Sequence, residues 1–223
     1  MYPQNAIDLS GRVQGWFRLV PILSILYSVS GATSLAEDDP PSETSDLHTN
    51  SLHELATKYA LKLEVLASRG FGTARFGSHY AHDLILVAGR VAKPLGDTFL
   101  KDSFLEGKLD ATSSLITGIQ DSPSTAYFFG LNVGLRYTFS TGTKWLPYLL
   151  GHVGIAATDI GEPDLSGVFQ FNEQGGVGLR YQLSTNRSVL TECTFMHASN
   201  GGISEPNDGL NAIVLTVGYS WQF

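Results

Sequence analysis

The sequence has little cysteine and little positive charge. Cys193 is the single cysteine, so no intramolecular disulfide can hold the fold. Lys and Arg number 14 against 21 Asp and Glu, and the formal net charge is −7. No cluster of basic residues is present that could neutralise phosphate groups, which argues against nucleic acid as a partner. The length suits one domain with a full core.

The sequence also lacks an apolar run of the roughly 20 residues that a membrane-spanning helix requires. Near the N-terminus, the apolar run Leu19–Val29 is about half that length. Arg12 and Arg18 precede this run, and small residues follow it up to Ala36. This order predicts a secretory signal peptide over residues 1–36. An uncleaved anchor helix is the alternative interpretation.

The segment after the predicted signal peptide differs in composition from the rest of the chain. Residues 37–58 are rich in Asp, Glu, Pro, Ser and Thr, which bury too little apolar area to offset the entropy of ordering. We therefore predict a flexible acidic lead-in. Residues 51–59 can also form a short amphipathic helix.

From residue 59 onward, apolar residues alternate with small or polar residues, as in strands that have two different faces. The pattern is clearest in the last segment, where one face carries Ile213, Leu215, Val217, Tyr219, Trp221 and Phe223. Turn residues separate about eight such segments. They lie near residues 61–72, 80–93, 103–117, 125–140, 144–157, 167–184, 187–198 and 212–223.

Alternation alone does not decide whether the apolar faces point inward, as in a soluble β-sandwich, or outward to lipid. The export signal, the aromatic residues at strand ends and strands of about ten residues or more favour a membrane barrel. A terminal Phe223 that closes an amphipathic strand also resembles the assembly signal of outer-membrane proteins. We predict an all-β fold over residues 59–223, an eight-stranded antiparallel transmembrane β-barrel of the outer membrane. Arg136, Arg180 and Glu192 are then expected in its lumen.

One segment has polar residues that alternation does not explain. His197 and Ser199 are separated by one residue, so in a strand their side chains leave the same face, where an imidazole can take a proton from a hydroxyl. Asn200 can offer an amide N–H to an oxyanion, and the glycines that follow it, including Gly202, let backbone N–H groups approach. Such a short motif is also common in surface turns, so spacing alone is weak support for catalysis.

The position of the pair strengthens the catalytic interpretation. Phe195 shares the face of His197 and Ser199, which indicates that this face is in contact with lipid. If the N-terminus of the barrel lies in the periplasm, the seventh strand ends outside the cell. A His–Ser pair on a lipid-facing surface does not fill the lumen, and it suits a hydrolase whose ester substrate is a membrane lipid.

The C-terminal motifs resemble those of the lipid A 3-O-deacylase (PagL-like) family. The resemblance rests on His197–Gly202 (HASNGG), Pro206–Gly209 (PNDG) and a last strand that ends in Phe. It is specific over about the last thirty residues and covers the rest of the chain as strand pattern and size. It implies an eight-stranded outer-membrane barrel that acts as a carboxylic ester hydrolase.

The resemblance also implies roles for individual residues. Ser199 would be the nucleophile and His197 the general base and then acid, with Asn200 and the Gly202 amide as oxyanion donors. The third catalytic residue of the family is a Glu, which aligns at or near Asn211. An Asn oxygen can orient an imidazole but stabilises an imidazolium less than a carboxylate does. Asp208 is a possible substitute, and Glu205 is a more distant one.

The substrate implied by the family is lipid A of lipopolysaccharide, from which the ester-linked acyl chain at the 3 position is released as a 3-hydroxy fatty acid. No metal or organic cofactor is implied, and we interpret His79 and His82 as surface residues of a loop. A homodimer is left open. The alternatives are a structural or adhesive barrel without enzymatic activity, and an esterase that acts on phospholipid.

Overall fold

In a computed structural model, the protein is described over residues 60–75 and 77–223. The predicted signal peptide (1–36) and acidic lead-in (37–58) lie outside these residues and stay predictions. The described part forms eight β-strands. They are β1 Lys62–Gly72, β2 Asp83–Pro94, β3 Gly107–Ser122, β4 Ala126–Phe139, β5 Trp145–Thr158, β6 Phe169–Ser184, β7 Arg187–Ser199 and β8 Leu210–Gln222.

The strands close into a barrel. Each strand pairs antiparallel with the next along the chain, and β1 pairs with β8 in a register that joins Lys62 to Gln222. Because every strand has a neighbour on both sides, the barrel has no open sheet edge. Within the described ranges, no helix is both long and apolar enough to cross a membrane. The predicted eight-stranded antiparallel barrel is confirmed.

The apolar faces of the strands point outward. Large apolar side chains at mid-strand are half exposed, including Val133, Val153 and Val217 at 55%, 59% and 61%. The residues that alternate with them point inward and are buried, as Arg136 at 0% shows. In a water-soluble sandwich these faces would be reversed, so the burial pattern is that of a barrel surrounded by lipid.

One half of the lumen is filled by an ionic network. The buried carboxylate of Glu64 accepts hydrogen bonds from Arg136 at 2.8 and 2.9 Å and from Arg180 at 2.7 Å. Arg90 donates to Glu64 at 3.3 Å and to Glu192 at 2.6 Å. Arg136, Arg180 and Glu192 therefore lie in the lumen, as the alternation predicted. The network fills the lumen with paired charges and leaves no room for an apolar core there.

The other half of the lumen contains a buried apolar cluster. Phe128, Met196 and Leu210 belong to one buried cluster near the ends of β4, β7 and β8. Leu165 and Ile160 from the loop at residues 159–168 are buried in the same cluster. This loop therefore packs into one end of the barrel, a feature that the sequence pattern did not predict. It anchors the loops beside His197.

Two strand boundaries differ from the prediction in a way that affects the site. β2 begins at Asp83 rather than at residue 80, because residues 79–82 make hydrogen bonds to the loop at 159–168. β8 begins at Leu210 rather than at residue 212. The earlier start brings Asn211 into the strand, where it pairs directly with His197.

Candidate active site

The predicted site lies on the outer surface of the barrel at the end of β7. His197 and Ser199 alternate with Met196 and Ala198, both of which point inward and are fully buried. His197 and Ser199 are half-buried and lie on the same outward face as the exposed Phe195. The pair is therefore accessible from the lipid side, as the sequence predicted.

A chain of hydrogen bonds fixes the orientation of His197. Asn211 Oδ1 lies 2.8 Å from His197 Nδ1, and Asn211 Nδ2 donates to Ser78 Oγ at 2.7 Å and to the Arg75 carbonyl at 3.3 Å. Ser78 Oγ in turn donates to the Gly209 carbonyl at 2.6 Å. Since a carbonyl only accepts, the Ser78 hydroxyl must accept from Asn211, and each donor in the chain is determined.

The direction of this chain selects one tautomer of His197. Because the NH2 group of Asn211 is bound to Ser78, its oxygen faces the imidazole, and His197 Nδ1 must carry the proton. In the neutral ring, Nε2 is then left with a lone pair. The arrangement leaves the nitrogen that can accept a proton on the side away from Asn211, which is what a general base requires.

Asp164 holds the loop that carries Ser78. Its carboxylate, which is fully buried, accepts from the backbone N–H groups of His79 and Tyr80 and lies 2.7 Å from His82 Nε2. Its own carbonyl accepts from Gly209 N at 2.9 Å. Burial opposes ionisation of Asp164, but these donors outweigh it and lower the pKa of the carboxyl below its usual value. Asp164 thus joins three loops behind Asn211.

The structure corrects the interpretation of His82 as a surface residue. His82 is 3% exposed and bridges Asp164 and Gln120, whose Oε1 lies 2.6 Å from His82 Nδ1. His79 is exposed, as predicted. Its Nδ1 lies 3.1 Å from both Asp164 and Asp208, and the ligand atoms of these three residues fall within 4.8 Å of one another. Of the two carboxylates, that of Asp164 already accepts from the backbone of His79 and Tyr80 and contacts His82.

Asp208, the predicted substitute for the third residue, is directed to His79 at 3.1 Å. His197 is hydrogen-bonded to Asn211 instead. Glu205 is exposed on the loop at residues 200–209. Of the residues considered for the third role, the structure brings Asn211 into contact with the imidazole.

The two predicted oxyanion donors have partners within their own loop. Asn200 Nδ2 donates to the carbonyl of Ser204 at 2.7 Å and to that of Ser166 at 3.2 Å. The Gly202 N–H donates to Asn200 Oδ1 at 2.9 Å. Asn200 is 2% exposed and closes the loop at residues 200–209 against the loop at 159–168. Asn200 follows Ser199 directly and Gly202 lies three residues after it, and the donors of both are engaged in this conformation.

Two grooves flank His197 on the outer surface. One, of about 350 Å³, lies toward β5 and β6 and is lined by Gly151, Gly175 and Glu173 as well as Phe195. The other, of about 620 Å³, lies toward β8 and is lined there by Asn211 and Ile213, with Thr73 and Arg75 after the end of β1. Phe195 and His197 form the ridge between them. An elongated apolar ligand that lies in either groove would contact the imidazole.

Sequence reasoning missed three residues around the site. Ser78 and Asp164 had no local signal, because their contacts connect positions about 80 to 130 residues apart. Glu173 did have one: it falls on the apolar face of β6, between Phe171 and Val177, where a carboxylate is unexpected. It pairs directly with His197 across β6 and β7.

Comparisons with known proteins agree with this architecture. The crystal structure of the outer membrane enzyme PagL aligns with 70% of this chain and 97% of its own, at 18% identity and a TM-score of 0.51. Neisserial surface protein A aligns with 74% of this chain and 97% of its own, at 13% identity and a TM-score of 0.56. At such identities these likenesses show the fold. No curated protein sequence matches the chain at a significant level.

The comparison with protein families identifies a family in addition to the fold. Residues 103–220, which are more than half of the chain, match the family described as lipid A 3-O-deacylase (PagL). The matched range contains His197, Ser199 and Asn211, whereas Ser78 precedes it. The protein is an outer-membrane β-barrel and belongs to the lipid A 3-O-deacylase (PagL) family.

Proposed function

We propose that this protein is an outer-membrane esterase that removes the 3-O-linked acyl chain of lipid A as a 3-hydroxy fatty acid. Family membership supports lipid A as the substrate. The observation that carries the mechanism is the hydrogen bond of His197 Nδ1 to Asn211, which leaves Nε2 free to act as a base on the outward face of β7 that also carries Ser199.

In the first half-reaction, His197 Nε2 takes the proton of the Ser199 hydroxyl as Oγ attacks the ester carbonyl carbon. The carbonyl oxygen becomes an oxyanion in the tetrahedral intermediate. When this intermediate collapses, the bond to the sugar oxygen breaks, and the proton on His197 passes to that oxygen. The acyl group remains on Ser199 as an ester, and lipid A is released with a free 3-hydroxyl.

In the second half-reaction, His197 removes a proton from water, which attacks the carbonyl carbon of the acyl-Ser199 ester. The bond from this carbon to Ser199 Oγ then breaks, His197 returns the proton to Oγ, and the fatty acid is released. Asn211 keeps the imidazole in one orientation through both steps. As a neutral group, it stabilises the imidazolium by a hydrogen bond without a full negative charge. Its replacement of a carboxylate therefore changes the electrostatics of the site more than its geometry.

The oxyanion is assigned to Asn200 and the Gly202 amide. Both groups donate within the loop at residues 200–209, so this role requires them to exchange those hydrogen bonds for bonds to the substrate. The loop is short and contains Gly201 and Gly202, both with positive φ, where a glycine backbone is free of steric strain. Such a loop can rearrange when substrate binds.

The substrate would reach the site from within the membrane. With the N-terminus of the barrel in the periplasm, β7 ends at the extracellular side, and the site faces the outer leaflet. The acyl chains of a lipid in that leaflet lie parallel to the outward face of β5–β8 and can enter the grooves beside His197. No cofactor takes part in the proposed reaction.

The proposal is tested by mass spectrometry of lipid A incubated with the purified protein in detergent micelles. We expect the loss of one 3-hydroxyacyl group from the 3 position and the appearance of the free 3-hydroxy fatty acid. Heat-unfolded protein is the control. If lipid A is unchanged and phospholipid is cleaved in a parallel incubation, the substrate is phospholipid and not lipid A. Neither lipid being cleaved by folded protein would favour a barrel without enzymatic activity.

Ser78→Ala is expected to lower the rate of deacylation about tenfold to a hundredfold. The variant leaves the buried Nδ2 of Asn211 with only its longer bond to the Arg75 carbonyl, at 3.3 Å, and the loss of a hydrogen bond from a buried donor costs about 1–3 kcal/mol. The amide can then rotate and present its NH2 group to His197. Rates are measured on lipid A, with Ser78→Thr as the matched control that keeps the hydroxyl. Equal losses in the two variants would show that shape at position 78 matters and hydrogen bonding does not.

A further inference from the structure

Glu173 is a carboxylate on the lipid-facing surface of β6. It is exposed on the same face as Phe169, Phe171 and Val177, and in the described part of the chain it has no hydrogen-bond or ion-pair partner. A charged side chain on the lipid face of a barrel is unfavourable, less so near the interface than at the midplane. A group supplied by a ligand would offset that penalty, and because a carboxylate only accepts, the ligand must supply a donor.

The register places Glu173 on the acyl side of the reacting ester. Ser199 pairs with Phe171, and His197 pairs with Glu173, one row farther from the barrel end. An ester bound at Ser199 has its polar alcohol part toward the rim and its acyl chain toward the middle of the barrel. Diagonal neighbours such as positions 199 and 173 are about 7–8 Å apart across an antiparallel pair. Glu173 therefore lies within side-chain reach of the first few acyl carbons.

The groove beside Glu173 is shaped for a chain. Gly151 and Gly175 pair with each other across β5 and β6 and form part of its lining. A Cβ atom at Gly151 would meet no atom within 4 Å, so the absence of side chains here leaves open space along the strands. Phe195 bounds the groove on the β7 side. An acyl chain that lies on this glycine surface passes next to the Glu173 carboxylate.

Building on the proposed function, we infer that Glu173 accepts a hydrogen bond from a hydroxyl on carbon 3 of the acyl chain and so selects 3-hydroxyacyl esters. Carbon 3 is about 2.5 Å from the carbonyl carbon, two bonds away, which keeps its hydroxyl near the row that contains Glu173 and His197. A substrate without this hydroxyl leaves the carboxylate unpaired in apolar surroundings. A site built around a hydrogen bond to a hydroxyl discriminates strongly against the analogue that lacks it.

The test compares two synthetic esters that differ only at carbon 3, a 3-hydroxydodecanoyl and a dodecanoyl ester of the same glycolipid. The wild-type protein in micelles is expected to favour the hydroxylated ester by about tenfold or more in kcat/KM. Glu173→Val should bring that ratio close to one, mainly by slowing the hydroxylated ester. Glu173→Gln, which keeps an acceptor oxygen, should retain part of the preference. Thr191→Val removes a polar group elsewhere on the outward face of β7 and should leave the ratio unchanged.

The ratio of the kcat/KM values for the two esters distinguishes this inference from other roles of Glu173. If Glu173→Val slows both esters equally and the preference persists, the carboxylate acts on His197 or on the fold, and the inference is overturned. Equal wild-type rates on the two esters overturn it as well, while leaving the proposed function intact. Failure of the folded wild-type protein to cleave either ester would overturn the proposed function and this inference with it.

Discussion

Replacing Ser199 with alanine is expected to lower the rate of lipid A deacylation about a thousandfold or more, and His197→Gln is expected to do the same. The alanine variant removes the atom that forms the acyl-enzyme, and the glutamine variant removes the base that activates it. The reaction is followed by mass spectrometry of the released fatty acid. Because both side chains face outward at the end of β7, neither substitution should disturb the lumen.

The double variant distinguishes a catalytic pair from two independent contributions. Residues that act as a unit show non-additive losses, so Ser199→Ala with His197→Gln should be about as slow as either single variant. Gel migration that shifts on heating serves as the control for a folded barrel. An alanine variant with near wild-type activity would remove Ser199 from the mechanism. Activity lost in proportion to folded protein would mean that the substitutions act on the barrel alone.

Most of the fold was predictable from the sequence, because each strand shows a two-residue alternation that a barrel uses over its whole length. That the apolar faces point outward was predictable too, from the export signal, the aromatic residues at strand ends and the length of the strands. The burial of an apolar cluster at one end of the lumen was not predictable. Leu165 and Ile160 lie in a loop without periodicity, and their burial depends on the space left between β4 and β7.

The site was predictable in part. Features formed by residues close in the sequence were predictable, and contacts between residues far apart in the sequence were not. His197 and Ser199 form a local motif, and their shared face follows from strand geometry. The contact between His197 and Asn211 needed the register of β7 and β8, which a two-residue error at the start of β8 obscured. Ser78 is 133 residues from Asn211, so their hydrogen bond becomes visible only when β1 and β8 are joined by closure of the barrel.

Barrel closure also explains how a neutral Asn can hold the imidazole of His197 in one orientation. A carboxylate can accept from His197 with either oxygen, whereas an amide must be kept from rotating. Ser78 provides that constraint, and Asp164 fixes the loop of Ser78 by accepting from His79 and Tyr80. The loops at this end of the barrel thus supply the orientation that the side chain at position 211 lacks.

Glu64→Gln is expected to destabilise the barrel by about 3–5 kcal/mol. Glu64 is buried among Arg136, Arg180 and Arg90, and its oxygens accept from all three. Glutamine keeps the size of the side chain but removes its charge and presents an NH2 group to the guanidinium groups. The remaining acids, Asp110 and Glu192, then face an excess of buried positive charge. Urea unfolding in lipid vesicles measures the change.

Two comparisons make the Glu64 prediction specific to the lumen. Glu173→Gln makes the same chemical change on the lipid-facing side of β6 and should leave the unfolding midpoint unchanged or raise it, because it removes a charge that lipid disfavours. Glu64→Gln combined with Arg136→Met should be less destabilised than the two single losses added together, since the excess positive charge is then reduced. Equal midpoints for Glu64→Gln and the wild type would mean that water or ions replace the carboxylate, and that the ionic network fills the lumen without holding the barrel together.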